Sequence, residues 1–338
     1  MSGLTRAALI AAIFLGITIS PAIGNAGVDW PKIKTTKMVL IYPGTTSWEF
    51  AHSDDHRLGS RGITRRKKGC RRCHLSKEGE LDLKADEIAA GTLKMKRTRK
   101  PFEPDPIPGK HGTMSADIQA AYDKEYLYIR VRWNSKGTGW RQSAGKGVPD
   151  RVTFQINKKN DSFKRYGCFI TCHNDVNTMP ESPTKEQVKS NPYYKALGRD
   201  DVRLYAYYAR QSWAKTKSAA ERKKMLAAGG LIDLWSLELA SGGVKARDGW
   251  IFDDRRWEKV SDVEGSGDWG GGRYTVVFKR RLRTPGPRDI SIKDGDIISA
   301  GIAIHEDGAK KRQHYVSFPF TIGIGAASDL RAVKISTD

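Results

Sequence analysis

Tyr126-Leu127-Tyr128-Ile129-Arg130-Val131-Arg132-Trp133 sets apolar residues at every second position, and Ala116–Tyr122 stands just before it. A period of two sends successive side chains to opposite faces, so both stretches read as half-buried strands. Alternation, or enrichment in β-branched and aromatic residues, returns at Arg151–Ile156, Leu231–Leu239, Tyr274–Lys279, Ile297–His305 and Tyr315–Ile322. Asp201–Trp213 and Ala219–Ala228 are helical by pattern, the second closed by Gly229-Gly230. Many strands with one helical insertion predict a mainly β chain, an antiparallel β-sandwich carrying excursions.

Upstream the strand signals thin out. Residues 27–100 offer the short run Met38–Tyr42 and a charged, partly helical stretch, Lys84–Lys100. Pro101–Pro108, with four prolines, reads as an extended linker. The expected organisation is a small, mostly irregular or helical module over 27–100, a linker over 101–110 and the sandwich over 111–338. Residues 1–26 read as a secretory signal peptide: Arg6, an apolar run from Ala7 to Ile19, Pro21 and the small-residue site Gly24-Asn25-Ala26. That run is too short for a comfortable membrane span. The chain is therefore expected in the periplasm, not membrane-spanning once cleaved.

The four cysteines fall into two runs. Cys70-Arg71-Arg72-Cys73-His74 is a Cys-x-x-Cys-His sequence, the attachment pattern of a c-type haem. Two thiols three positions apart can form thioethers to one porphyrin, and the adjacent His then lies under the iron. Cys168-Phe169-Ile170-Thr171-Cys172-His173 repeats the pattern with one extra residue between the thiols, in the segment after Arg151–Ile156, at an expected edge of the sandwich. A zinc site would want further ligands at comparable spacing, and a Cys168–Cys172 disulfide would suit an oxidising compartment. Haem accounts for both Cys-His pairs at once. Covalent attachment in bacteria follows export, so signal and motif agree, and two c-type haems are expected.

The formal charge is +21, from 59 Lys and Arg against 38 Asp and Glu. An exported haem protein without a nucleic-acid motif does not need that charge for nucleic acid. Steering towards an acidic redox partner or an anionic membrane face is the physical reading. The densest basic run, Arg61 to Arg72, leads directly into the first motif.

Several stretches resemble the haem-binding domain shared by the ethylbenzene dehydrogenase γ subunit and the dimethyl-sulfoxide-reductase-like cytochrome c-552 group. They are Ala120-Ala121-Tyr122-Asp123 leading into Tyr126–Trp133, Gly167-Cys168 to His173 with Thr178-Met179-Pro180, and His314-Tyr315-Val316-Ser317-Phe318-Pro319-Phe320. Tyr42-Pro43-Gly44, Ser47-Trp48-Glu49 and a His ahead of the first motif look like the companion mono-haem module of that group. The resemblance implies a β-sandwich haem domain and an electron-transfer role, often beside a molybdopterin oxidoreductase. The looser Cys-x-x-x-Cys-His spacing is itself a feature of its c-type members.

Each iron needs a second axial ligand or stays open to small molecules. His52 and His56 both precede the first motif, and the resemblance favours His56 beside His74. In b-type relatives a Met and a C-terminal Lys in a Lys-x-Val-Ser context ligate the iron. Here His173 stands in the Met's place and His314 in the Lys's, with His305 and Met114 in reserve. Met179 is too close to His173 to reach the opposite face. Histidines for both irons predict an electron carrier rather than an enzyme. The alternative is a dihaem enzyme with one open haem, a peroxidase or a sulfur- or nitrogen-compound oxidoreductase. A ligand-binding sandwich with structural haems is a third reading.

Overall fold

The computed structural model describes residues 27–44, 48–52, 54–76, 80–93, 106–142, 147–172, 184–196, 198, 200, 204–211, 215–309 and 313–336. The signal-peptide stretch, His173, Thr178-Met179-Pro180 and residues 101–105 of the expected linker lie outside them.

The strands are β1 (Thr36–Ile41), β2 (Thr113–Tyr122), β3 (Tyr126–Asn134), β4 (Asp150–Asn157), β5 (Thr171–Cys172), β6 (Tyr205–Ala206), β7 (Ile232–Ala240) and β8 (Gly243–Ile251). Then follow β9 (Arg255–Trp257), β10 (Val263–Gly270), β11 (Arg273–Arg281), β12 (Ile297–His305), β13 (Tyr315–Ser317), β14 (Phe320–Ile324) and β15 (Leu330–Lys334). Thirteen of them form one sheet in the order β10-β11-β3-β2-β1-β13-β12-β4-β7-β8-β9. A second route joins β2 to β12 through β15 and β14, whose pairings β14–β15 and β15–β2 are the parallel ones. The chain is mainly antiparallel β, as its alternation predicts.

One half of this sheet faces the other. Phe154 on β4 meets Phe278 on β11 edge-on, with ring centroids 5.1 Å apart. On β12, Ile298, Ala300, Ile302 and Ile304 point into that core and are fully buried. The intervening Gly301, Ala303 and His305 therefore lie on the outer face. There a second apolar cluster forms, in which Val316, Ile232 and Leu234 of the sheet meet Trp48, Ile63, Phe163 and Phe169.

Ahead of β2 lie the helices α1 (Trp48–His52), α2 (Arg57–Arg66), α3 (Cys70–His74) and α4 (Ala85–Ala89), of which α1 and α2 carry Trp48 and Ile63. Between the strands lie α5 (Thr138–Arg141), α6 (Asp161–Tyr166), α7 (Lys185–Ser190), α8 (Pro192–Ala196) and α9 (Ala219–Ala227). The capping box Ser218/Glu221 starts α9 where the sequence predicts a helix.

Four expectations change. The 27–100 segment contributes β1 to the sheet, hydrogen-bonded between β2 and β13, and is not separate from it. The described end of the linker is docked, since Ile107 N–H donates to Tyr42 Oη at 2.6 Å and Lys110 Nζ lies 3.3 Å from Glu306. The helix expected over Asp201–Trp213 is not formed in its described part. Tyr205 pairs with Cys172 in β6–β5, and Ala206 N–H donates to Phe252 O at 2.7 Å, so those backbone groups bond outside the segment. Tyr315–Ile322 divides into β13 and β14 around Pro319, which has no N–H for a ladder.

Candidate haem-binding sites

The first motif is a single helical turn, α3, lying against α6. A Cβ on Gly69, the residue before Cys70, would come within 2.6 Å of the Arg165 carbonyl, so glycine permits this approach. Arg71 is anchored to Asp329, in the β14–β15 loop, at 2.8 Å. Cys73 is exposed and Cys70 partly buried. Burial pushes the Cys70 thiol up to about 12.

His74 Nδ1 lies 3.0 Å from the carbonyl of Asp82, and His56 Nδ1 lies 3.1 Å from that of Ala51. A carbonyl only accepts, so each Nδ1 carries the proton and each Nε2 carries the lone pair. The two ring centroids are 5.9 Å apart with planes 22° from parallel. A metal-bound imidazole nitrogen sits about 2 Å from the metal, so two imidazoles flanking one metal have centroids about 6 Å apart. The pair therefore fits a group whose metal takes two histidines. The other candidate, His52, donates to Trp48 O at 2.8 Å and packs its ring on Trp48 at 4.4 Å.

The second motif leaves α6, which is capped by the Asn160 side chain accepting from Phe163 N–H at 2.9 Å. It lies on the outer face of the sheet, over β12 and β4, and not at an edge. Cys168 is 2% exposed, and a Cβ on Gly301 would stand 2.6 Å from its Sγ. Thr171 donates to Gln155, the residue opposite Gly301, at 2.8 Å. Burial pushes the Cys168 thiol up to about 12. No disulfide joins Cys70, Cys73 or Cys168 among the described residues. The backbone of Cys172 ends β5, and His173 lies outside the described residues.

Two residues along each strand, Ala303 and Thr153 form a floor of small side chains that is part-exposed. Two further on, the face is buried again, by His305, His314 and Arg151. The His305 and His314 rings stack at 4.3 Å, too close for both to flank one metal. The Cys168 thiol and the two histidines thus share one face of the sheet, about 13 Å apart along β12. Met114, on β2 and paired with Leu40, lies elsewhere, against the main core.

Both motifs share one apolar cluster. Phe318 stands between them, its centroid 6.5 Å from His74 and 5.8 Å from Phe169. The sequence carries no signal for that contact. Among the described residues, the metal-ligand-like group Asp233, Asp248 and Asp289 is already served by Arg280, at 3.0 Å from Asp233 and 3.5 Å from Asp289. No helix among the described residues is long and apolar enough to cross a membrane.

The ethylbenzene dehydrogenase family model matches residues 29–259. The chain belongs to that family. Cytochrome c-552 of Stutzerimonas stutzeri is 28% identical over 318 residues, covering 93% of each chain. Cytochrome c-551 of Rhodocyclus tenuis is 26% identical over 309 residues, covering 90% of this chain and 99% of its own. A carbohydrate binding module family 9 from Caldicellulosiruptor kristjanssonii, in complex with glucose, aligns at a TM-score of 0.25 and 8% identity, over 60% of this chain and 65% of its own. That alignment is too weak to bear on fold or ligand.

Proposed function

We propose that this chain is an exported dihaem c-type cytochrome that carries electrons between a periplasmic donor and a redox enzyme. The observation that carries the reading is the His56–His74 pair, at the 5.9 Å separation that one metal between two imidazoles requires, with Cys70 and Cys73 on the same turn. The family and the relatives named cytochrome c-552 and c-551 support c-type haem. Haem supplies one-electron exchange without bond formation.

In this reading the residues bind and shield. Cys70, Cys73, His74 and His56 hold the first haem, and Cys168, Cys172, His173 and His314 the second, on the outer face of a sheet folded into a sandwich. The Ala51 and Asp82 carbonyls orient the first two imidazoles. Phe318, Phe169 and Trp48 keep water from the region between the motifs. Arg57, Arg61, Arg65, Arg66, Lys67 and Arg72 are exposed around α2 and α3, a surface that suits an acidic partner. A molybdopterin oxidoreductase is the partner class to test first.

A histidine already in reach of the first iron favours a carrier over an enzyme with an open haem. The absorption and electron-spin-resonance spectra of the ferric protein test this. Low-spin signals alone, with no rapid binding of cyanide or carbon monoxide, are expected. A high-spin fraction that binds either ligand at once would favour the dihaem enzyme.

A further inference from the structure

Residues 57–76 hold eight Lys and Arg and no Asp or Glu. Arg71 is paired with Asp329, and the other seven form no ion pair among the described residues. Six of those seven, Arg57, Arg61, Arg65, Arg66, Lys67 and Arg72, are exposed. Solvated cations need no partner for stability, so what the run creates is a local positive field.

That field stays around the first motif. The helix α2 opens at His56, its N-cap, and closes at Lys67 in the left-handed region, φ 48°. Lys68 N–H donates back to Gly62 O at 3.0 Å, and the chain passes through Gly69 into Cys70. Within the helix Leu58, Arg61 and Arg65 recur at intervals of three and four and share a face. Ile63, on the opposite side, is 8% exposed and joins the apolar cluster, whereas Leu58 is 82% exposed.

The make-up of this face narrows its occupant. A helix that lies in a lipid surface presents a broad apolar side, and the outer side of α2 presents one leucine among arginines. A protein interface joins an apolar centre to a charged rim, which matches this arrangement. Electron exchange also requires the two redox centres to approach closely. Leu58 follows His56 by two residues, at most about 8 Å between Cα atoms.

We propose that the outer face of α2 is the docking surface for an acidic electron-carrier protein, with Leu58 as its apolar centre and Arg57, Arg61 and Arg65 as its rim. The proposal rests on the first-haem reading above and adds the face used and the chemistry of the partner, carboxylates around an apolar spot. One electron passes between the carrier's redox centre and the haem iron. One is oxidised as the other is reduced, and no bond is made or broken. The rim charges steer the approach and are screened by salt, whereas the leucine contact is not.

The test is stopped-flow reduction of the ferric holoprotein by reduced plant-type ferredoxin, an acidic one-electron donor protein. Arg61→Gln with Arg65→Gln is compared with a charge-matched control on β8 and β9, Lys245→Gln with Arg256→Gln. At ~10 mM ionic strength, where the Debye length is about 30 Å, the α2 pair should react about tenfold more slowly than the control, and the gap should close near ~1 M. Leu58→Asn should react more slowly at both ionic strengths, by about threefold. An unchanged rate for Leu58→Asn would overturn Leu58 as the centre. Equal rates for the α2 pair and its control, in proteins of wild-type mass and low-spin spectrum, would overturn the docking face and leave the first haem in place. Wild-type protein without haem on the peptide that holds Cys70 and Cys73 would overturn the first-haem reading, and the face with it. Sedimentation with phosphatidylglycerol vesicles that the α2 pair abolishes, its ferredoxin rate unmoved, would assign the face to lipid and overturn the protein partner.

Discussion

Gly59→Ala sets two effects of opposite sign against each other. Gly59 lies in α2, where replacing glycine by alanine gains roughly 0.5–1 kcal/mol of helix stability. A Cβ there would nevertheless overlap the His56 ring, meeting Cε1 and Nε2 and lying 2.5 Å from Nδ1. Carbon contacts settle at about 3.5–4.0 Å, so the ring must recede by at least about 1 Å. The Nδ1–Ala51 O bond, already 3.1 Å, would then be lost, and an imidazole about 2 Å from a metal has no such slack. The first haem should change from low to high spin and bind carbon monoxide when reduced, while the thermal midpoint of the fold holds or rises. The assay is the visible spectrum with and without carbon monoxide, beside a melting curve. An unchanged low-spin spectrum in a folded variant would refute His56 as the distal ligand.

His314→Met should raise the midpoint potential of the second haem if the iron stays six-coordinate, because two imidazoles favour ferric iron more than a His/Met pair does. An unmoved potential would turn attention to His305, stacked 4.3 Å away. Gly301→Ala pushes a Cβ to 2.6 Å from Cys168 Sγ and should yield protein with one covalent haem by mass, the first intact. Burial raises Asp233 to about 6 against the opposing charge of Arg280, and burial with the charge of Asp233 raises Asp248 to about 7. Between about pH 4 and 7 the folded state thus holds more protons than the unfolded one, so stability falls as pH rises. Urea unfolding should show a loss on the order of 2 kcal/mol from pH 5 to 8. Asp248→Asn should flatten part of that slope.

Strand positions were legible wherever one face is apolar: β2, β3, β4, β7, β11 and β12 follow their alternation closely. β8 and β10 were not legible, because Lys245 and Arg247 in the one and Gly265, Gly267 and Gly270 in the other break the apolar pattern. They are strands because neighbouring ladders accept them. Sequence distance also hid β1's place, since its partner β13 lies near the far end of the chain. The approach of His56 to His74 is local in the chain, and the resemblance rather than the pattern of residues singled out His56 over His52. The surroundings of Cys168 were not legible, because they form only where β12, β4 and β13, far apart in the chain, lie side by side.

The central claim is that one chain carries two covalent haems, and the mass of the denatured protein tests it most directly. The claim predicts the processed chain plus two haems, with all four cysteines unavailable to alkylation. One added haem, with Cys168 and Cys172 oxidised to each other, would contradict it.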